Sequence, residues 1–251
     1  MTIVKTLSCI ALASLSAQGF AAAFEFDRPG AGFGTSTTPV GRLAWEQSLP
    51  NASYVKSGDE TTTTLNADIL LRTGLTDGLE LQLGWDGPAW SKTKIAGEST
   101  ENDGLGDVSV GLKKSIDLKD EKLSFAVLAQ AVIATGNAEF SNQEDIYSLG
   151  STVAYQYSDD LNTSISMFYE WEDGNWAIKA VPTLQYQISD KWSGFSELVY
   201  RKAESLDNEY ALGTGLMYSV NDRLQLDASI GVDLDGFERS YSAGLGVAYL
   251  F

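Results

Sequence analysis

Histidine is absent from all 251 residues, and the only cysteine, Cys9, stands close to the amino terminus. The side chains that usually serve as neutral-pH general bases, nucleophilic thiolates and zinc ligands are therefore missing from most of the chain. What remains is carboxylate against cation, with 34 Asp plus Glu, 17 Lys plus Arg and a formal charge of −17. A carboxylate pair such as Glu170 and Glu197 has the composition of a glycosidase acid and base. Both, however, fall in a longer row of charged positions that share one polar face: Arg42, Glu46, Asp68, Arg72, Glu80, Asp107, Lys113, Glu170, Lys179, Glu197, Arg201 and Asp227. Opposed charges lining a passage could select solutes by sign. Alternatively they form an ion-paired, hydrated network that fills an enclosed interior, because charges taken out of water need partners. Acidic residues between the apolar segments, among them Glu98, Glu101, Asp103, Glu144 and Asp145, could meet divalent cations at an exposed surface, but their spacing completes no metal-binding loop. No metal site and no cofactor is implied. Nucleic acid is excluded as a partner, since no basic stripe is present to neutralise phosphates.

These charges alternate with apolar residues at a period of two, which places them on strands. Leu65, Ala67, Ile69 and Leu71 face away from Thr64, Asn66, Asp68 and Arg72, and Leu224, Leu226, Ala228 and Ile230 away from Gln225, Asp227 and Ser229. The same pattern recurs over 41–49, 62–74, 79–86, 105–115, 122–134, 146–157, 161–171, 176–188, 191–201, 210–220, 223–232 and 240–251. Beyond the amino terminus no run of 18 apolar residues exists, so a bilayer could be crossed only by strands closed into a barrel. Tight polar connections, Thr76-Asp77-Gly78, Ser158-Asp159-Asp160, Ser189-Asp190-Lys191 and Asn221-Asp222-Arg223, suit hairpin turns. Longer polar ones, Asp86 to Gly104, Gly136 to Asp145, Lys202 to Glu209 and Asp233 to Arg239, alternate with them. The expectation is an all-β fold: a single closed antiparallel transmembrane β-barrel of about 12 strands, with short periplasmic turns and longer extracellular loops.

Aromatic residues gather at the strand ends, where a bilayer has its interfaces: Tyr157, Trp192 and Tyr218 near the short turns, and Trp85, Trp171, Trp176 and Tyr241 near the longer connections. The final strand ends on Tyr249-Leu250-Phe251, a terminal aromatic pattern of the kind read by the barrel-assembly machinery, with Tyr249 and Phe251 as the recognised residues. Residues 1–23 read as a secretory signal, with Lys5, an apolar centre and Ala21-Ala22-Ala23 before Phe24. The mature barrel is expected over 40–251. Between them, 24–39 is an irregular lead-in that either hangs as a periplasmic tail or enters the lumen and narrows it, with Asp27, Arg28 and Pro29 as the candidate plug residues. Pro182 interrupts an otherwise regular strand, which predicts a bulge in the wall or, alternatively, a lateral opening for apolar cargo.

Asp27-Arg28-Pro29, Pro39-Val40-Gly41-Arg42-Leu43, Leu70 to Asp77 and Gly104-Leu105-Gly106-Asp107-Val108, together with Leu224-Gln225-Leu226-Asp227 and the terminal strand, resemble the MetA-pathway of phenol degradation family of outer-membrane proteins. The resemblance spans most of the mature chain. It implies an outer-membrane channel or transporter for small hydrophobic or aromatic solutes, in contact with outer-membrane lipids and lipopolysaccharide, and supplies no site residue by itself. Two other classes stay open at this point: a non-conducting structural or adhesive barrel, and an enzyme working without histidine.

Overall fold

The computed structural model describes residues 24–234 and 239–251, without the side chain of Arg239. The signal segment 1–23 lies outside the described residues. Fifteen β segments form one sheet: β1 (Leu43–Ser57), β2 (Glu60–Asn66), β3 (Ile69–Thr76), β4 (Leu79–Trp85), β5 (Pro88–Ile95), β6 (Glu98–Leu105), β7 (Val108–Ile116), β8 (Leu123–Ile133), β9 (Ile146–Ser158), β10 (Leu161–Glu172), β11 (Asn175–Ser189), β12 (Trp192–Ala203), β13 (Asn208–Asn221), β14 (Leu224–Asp233) and β15 (Arg239–Leu250). Neighbours pair antiparallel, and β15 closes on β1 from Ala44–Leu250 to Lys56–Arg239. The pairs β2/β3, β4/β5 and β6/β7 each continue one wall strand across a two-residue break, so the wall has twelve strands. Closure matters because an open edge would leave backbone N–H and C=O groups unpaired in lipid.

Side-chain alternation sets the two faces. Ala44, Glu46 and Ser48 point inward and are buried, while Leu112, Leu149, Leu184, Leu216, Leu226 and Leu245 stand exposed on the outer wall. Tyr155, Tyr157 and Trp192 surface at the short-turn end, and Tyr147, Trp171, Trp176, Tyr210 and Tyr241 at the other.

The breaks in β2/β3, β4/β5 and β6/β7 line up with a register shift in β1 between Ser48 and Asn51, making one crease across four adjacent strands. Backbone bonds cross it: Ser48 N–H to Asp68 O (3.1 Å), Ala67 N–H to Pro88 O (3.1 Å), Gly106 N–H to Gly87 O (2.8 Å) and Asp86 N–H to Asp107 O (2.9 Å). Pro50 and Pro88 have no N–H for the ladder. Gly87 holds φ at +77°, and a Cβ there would meet the Ala67 carbonyl oxygen at 1.9 Å.

Beyond the crease, the far half of β1 with β2, β5 and β6 forms a polar extension of the sheet. The stretch 86–104, expected as a loop, is thus mostly the hairpin β5–β6, and β1 continues past Pro50 to Ser57. An extension wetted on both faces carries no apolar stripe, so β5 and β6 leave no period-two signal, whereas most of β2 falls within the strand read over 62–74. The turns at 77–78, 159–160, 190–191 and 222–223 fall where the sequence puts them.

Candidate functional site

Residues 24–39 form no strand; they run through the barrel interior, as their partners on nearly every side of the wall require. Moving back from β1, the Thr38 N–H donates to Glu80 on β4 (2.6 Å), the Thr35 hydroxyl meets Ser124 on β8 (2.8 Å), and the Phe33 N–H donates to Ser166 on β10 (3.2 Å). The Ala31 N–H then donates to Glu197 on β12 (3.1 Å), and the Arg28 guanidinium reaches Asp227 on β14 (3.2 Å) and Asp68 at the crease (3.5 Å). Finally the Asp27 and Arg28 N–H groups donate to Glu46 on β1 (3.2 and 2.8 Å), and Gln225 donates to the Arg28 carbonyl (3.0 Å). The segment circles the lumen and returns to the β1–β7 side of the wall. Glycines at 30 and 32 let its backbone lie close to the wall: a Cβ on Gly32 would meet Ser166 Oγ at 2.8 Å.

Arg72 on β3 sits at the middle of a buried ion-pair network. Its guanidinium pairs with Glu46 (2.8 Å), Glu80 (3.0 Å) and Asp27 (3.5 Å), donates to the Glu25 and Ser36 carbonyls, and lies 5.1 Å from the Phe24 ring centroid. Lys113 on β7 pairs with Asp27 (3.0 Å) and Glu80 (3.2 Å). Arg72, Lys113, Glu46 and Glu80 are fully buried. Their mutual attraction is strong at this depth, but only because every charge has a partner that offsets its lost hydration.

A second, looser cluster lies toward the longer connections. Glu170 stands 4.0 Å from Lys179 and 3.8 Å from Arg201, Arg201 also pairs with Glu209 (3.5 Å), and Lys179 lies 4.2 Å above the Phe168 ring. Between the two clusters Phe33 packs on Phe168 with ring centroids 5.4 Å apart, joined by Ala126, Leu128 and Val181 and flanked by Val199. This is an apolar patch in a polar interior. Phe33 was legible only as a lone aromatic among glycines.

Of the twelve charged positions, Glu46, Arg72, Glu80 and Lys113 meet in the buried network, Asp68, Asp227 and Glu197 hold the amino-terminal segment, and Glu170, Lys179 and Arg201 make the looser cluster. Arg42 stands half-buried at the short-turn rim with no side-chain partner among the described residues. Asp107 corrects the lumen-lining expectation: it is buried at the crease and accepts the N–H groups of Gly136 (2.8 Å) and Asn142 (2.8 Å), holding the 134–145 connection to the rim. Burial alone would raise its pKa, but these amide donors hold its carboxyl below the usual range. Pro29 follows Arg28 in the lumen segment and lines the cavity described next.

Pro182 also needs correction. The pairs Ala180–Tyr200 and Thr183–Glu197 keep one register, with no residue inserted between them. The two intervening pairs are simply missing, because proline has no N–H to offer β12, so this is a gap in the ladder and not a bulge.

Between the lumen segment and the β9–β14 side of the wall, a cavity of about 650 Å³ opens at the short-turn end. Glu25, Gln82 and Gln225 join the interior without having stood out in the sequence; the two glutamines had only inward parity to mark them.

The profile of the family described as "Putative MetA-pathway of phenol degradation" matches residues 26–251. The chain belongs to this family. No curated protein matches the sequence. Among solved structures, an outer membrane channel from Pseudomonas putida F1 is similar at 13% identity, with a TM-score of 0.69, over 90% of this chain and 100% of that one. The NanC porin (13% identity, TM-score 0.53) and the KdgM porin (13% identity, TM-score 0.51) each match over 81% of this chain and 98% of theirs. At such identities the likeness speaks for the fold: this member of the phenol degradation family is an outer-membrane β-barrel.

Proposed function

We propose that the barrel is an outer-membrane channel for small hydrophobic or aromatic solutes whose lumen is narrowed by its own residues 24–39, with Asp27, Arg28 and Pro29 in the plug. The carrying observation is the way that segment is held: by hydrogen bonds and ion pairs to carboxylates on many wall strands, over a cavity open at one end. Such a plug can be displaced as a unit, which a solid filler of the barrel would have no need for. The apolar patch around Phe33, next to the ladder gap at Pro182, offers an apolar solute a seat midway and a seam in the wall. The family description points to phenol degradation, and the similar proteins are described as a channel and as porins. A catalytic reading has less support, since the chain contains no histidine and Glu170 is committed to Lys179 and Arg201. The surrounding partners of this reading are outer-membrane lipid, lipopolysaccharide, and the assembly machinery that inserts the barrel.

In planar bilayers the intact barrel should conduct weakly, and deletion of Phe24 to Thr38 should raise its conductance severalfold. Liposomes containing the barrel should take up phenol faster than empty ones. If the deletion leaves conductance unchanged and phenol uptake is the same with and without the barrel, the structural or adhesive alternative takes its place.

A further inference from the structure

The cavity at the short-turn end is lopsided in charge. Asp159, Asp160, Asp190 and Asp222 stand around its mouth on three of the short turns, and Glu197 lines its inner wall. Among the described residues Arg28 is the one cation on its lining, and that guanidinium is already engaged by Asp227 and Asp68. A cleft walled by low-dielectric protein focuses such a field inward, so its effect on a visiting ion exceeds that of the same carboxylates on a flat surface.

Two further features inside the cavity point to the kind of group it would hold. Glu197 is only 9% exposed, accepts a hydrogen bond from the Ala31 N–H, and has no cation within ion-pair distance among the described residues. The lining residue Asn162 has a buried side-chain oxygen with no hydrogen-bond partner among the described residues. The two Glu197 oxygens share the single Ala31 N–H, which leaves acceptor capacity over, and the Asn162 oxygen is a buried acceptor without a donor among the described residues, which is uncommon. Apolar surface is close by, with the Phe24 and Phe26 rings in edge contact at 5.1 Å and Phe195 on the opposite wall.

We propose that this vestibule is a binding pocket for small aromatic solutes that carry a hydrogen-bond donor, either a neutral hydroxyl or an ammonium group, and that it turns away the corresponding carboxylates. The proposal deepens the channel reading by naming the charge class of the solute. A hydroxyl or ammonium would be donated to Glu197 or Asn162 while the ring rests against the phenylalanines. A carboxylate there would bring a further negative charge beside Glu197 and past the aspartates of the mouth, with no free cation on the described lining to receive it.

The test uses benzylammonium, benzyl alcohol and benzoate, which share a ring and differ in the group it carries. Binding to the intact barrel in detergent is followed by ligand-observed NMR at low salt. Benzylammonium should bind at least tenfold more tightly than benzoate, with benzyl alcohol between them, and the interval should shrink as salt is raised, because mouth charges are screened over about 10 Å at 0.1 M. In the combined variant Asp159→Asn, Asp190→Asn, Asp222→Asn the interval should narrow while benzyl alcohol still binds, and Glu197→Gln should narrow it further. Equal binding of benzylammonium and benzoate, an interval untouched by these variants, or no binding of any probe overturns the proposal. Uptake of the same probes into liposomes is read separately: binding with the expected order but no uptake would sink the channel reading and leave the pocket standing.

Discussion

Arg72 has none of its side chain exposed and meets Asp27, Glu46 and Glu80 within 3.5 Å. A cation in that position serves two structures at once. It neutralises wall carboxylates that would otherwise repel one another, and through Asp27 and the Glu25 and Ser36 carbonyls it holds the lumen segment in place. Arg72→Met keeps much of the volume and removes the charge, leaving the buried Glu46 with no cation partner among the described residues while Lys113 still meets Glu80 and Asp27. It should destabilise the barrel by about 3–5 kcal/mol in a urea titration in lipid, since breaking a buried pair exposes the desolvation penalty of the partner left behind. A loss within about 1 kcal/mol, the worth of a solvent-exposed pair, would mean that the network is hydrated. The contrast with Lys92–Glu101, an exposed single ion pair on the polar extension, is one of burial and of partner number.

At the scale of the element, each strand carries two environments one residue apart. Ile165 and Ser164 are neighbours on β10; Ile165 is 39% exposed on the outer wall, and Ser164 lines the interior cavity. Ile165→Arg should cost about 2–4 kcal/mol in a folding titration, the penalty for a cation facing lipid near mid-depth. Ser164→Arg, in a wet and acidic cavity, should change stability much less. Equal penalties would contradict the assignment of faces on this strand. The crease shows a different element-scale lesson: proline and glycine at 50, 87 and 88 interrupt the strands without ending them, because crossing backbone bonds carry the sheet past each break. Read locally, the same residues look like loop boundaries.

For the whole molecule, the last strand decides whether the sheet is a barrel. β15 pairs with β1 along most of its length, and the Phe251 N–H donates to the Leu43 carbonyl at 2.8 Å, fastening the carboxyl terminus to the first strand. Tyr249 and Phe251 stack edge to face at 4.7 Å on the outer surface, whereas Leu250 is 7% exposed on the inner one. Deleting Phe251 should lower the amount of folded, heat-modifiable barrel in outer membranes far more than Leu250→Ala does. Similar yields for the two would count against the terminal aromatics as the assembly signal.

The sequence by itself determined the class, the strand-to-strand alternation and most of the turns. Lipid outside and water inside impose opposite demands on successive residues, and a period of two records that demand locally. It also marked Arg72, Glu46, Glu80 and Lys113 as inward-facing charges by parity alone. Where the two faces of a strand meet the same medium, the record vanishes: β5 and β6 are polar on both sides and were legible only as connection, whereas most of β2 falls within the strand read over 62–74. Tertiary structure alone decided who pairs with whom. Asp107 has inward parity like its neighbours, but the 134–145 connection folds over it and takes its oxygens, an encounter between residues up to 35 apart in the chain. The path of residues 24–39 was equally out of reach, since a glycine-rich segment without periodicity specifies no route. Its course is set by carboxylates that closure of the barrel brings into a ring, and that ring exists only when the first and last strands have met.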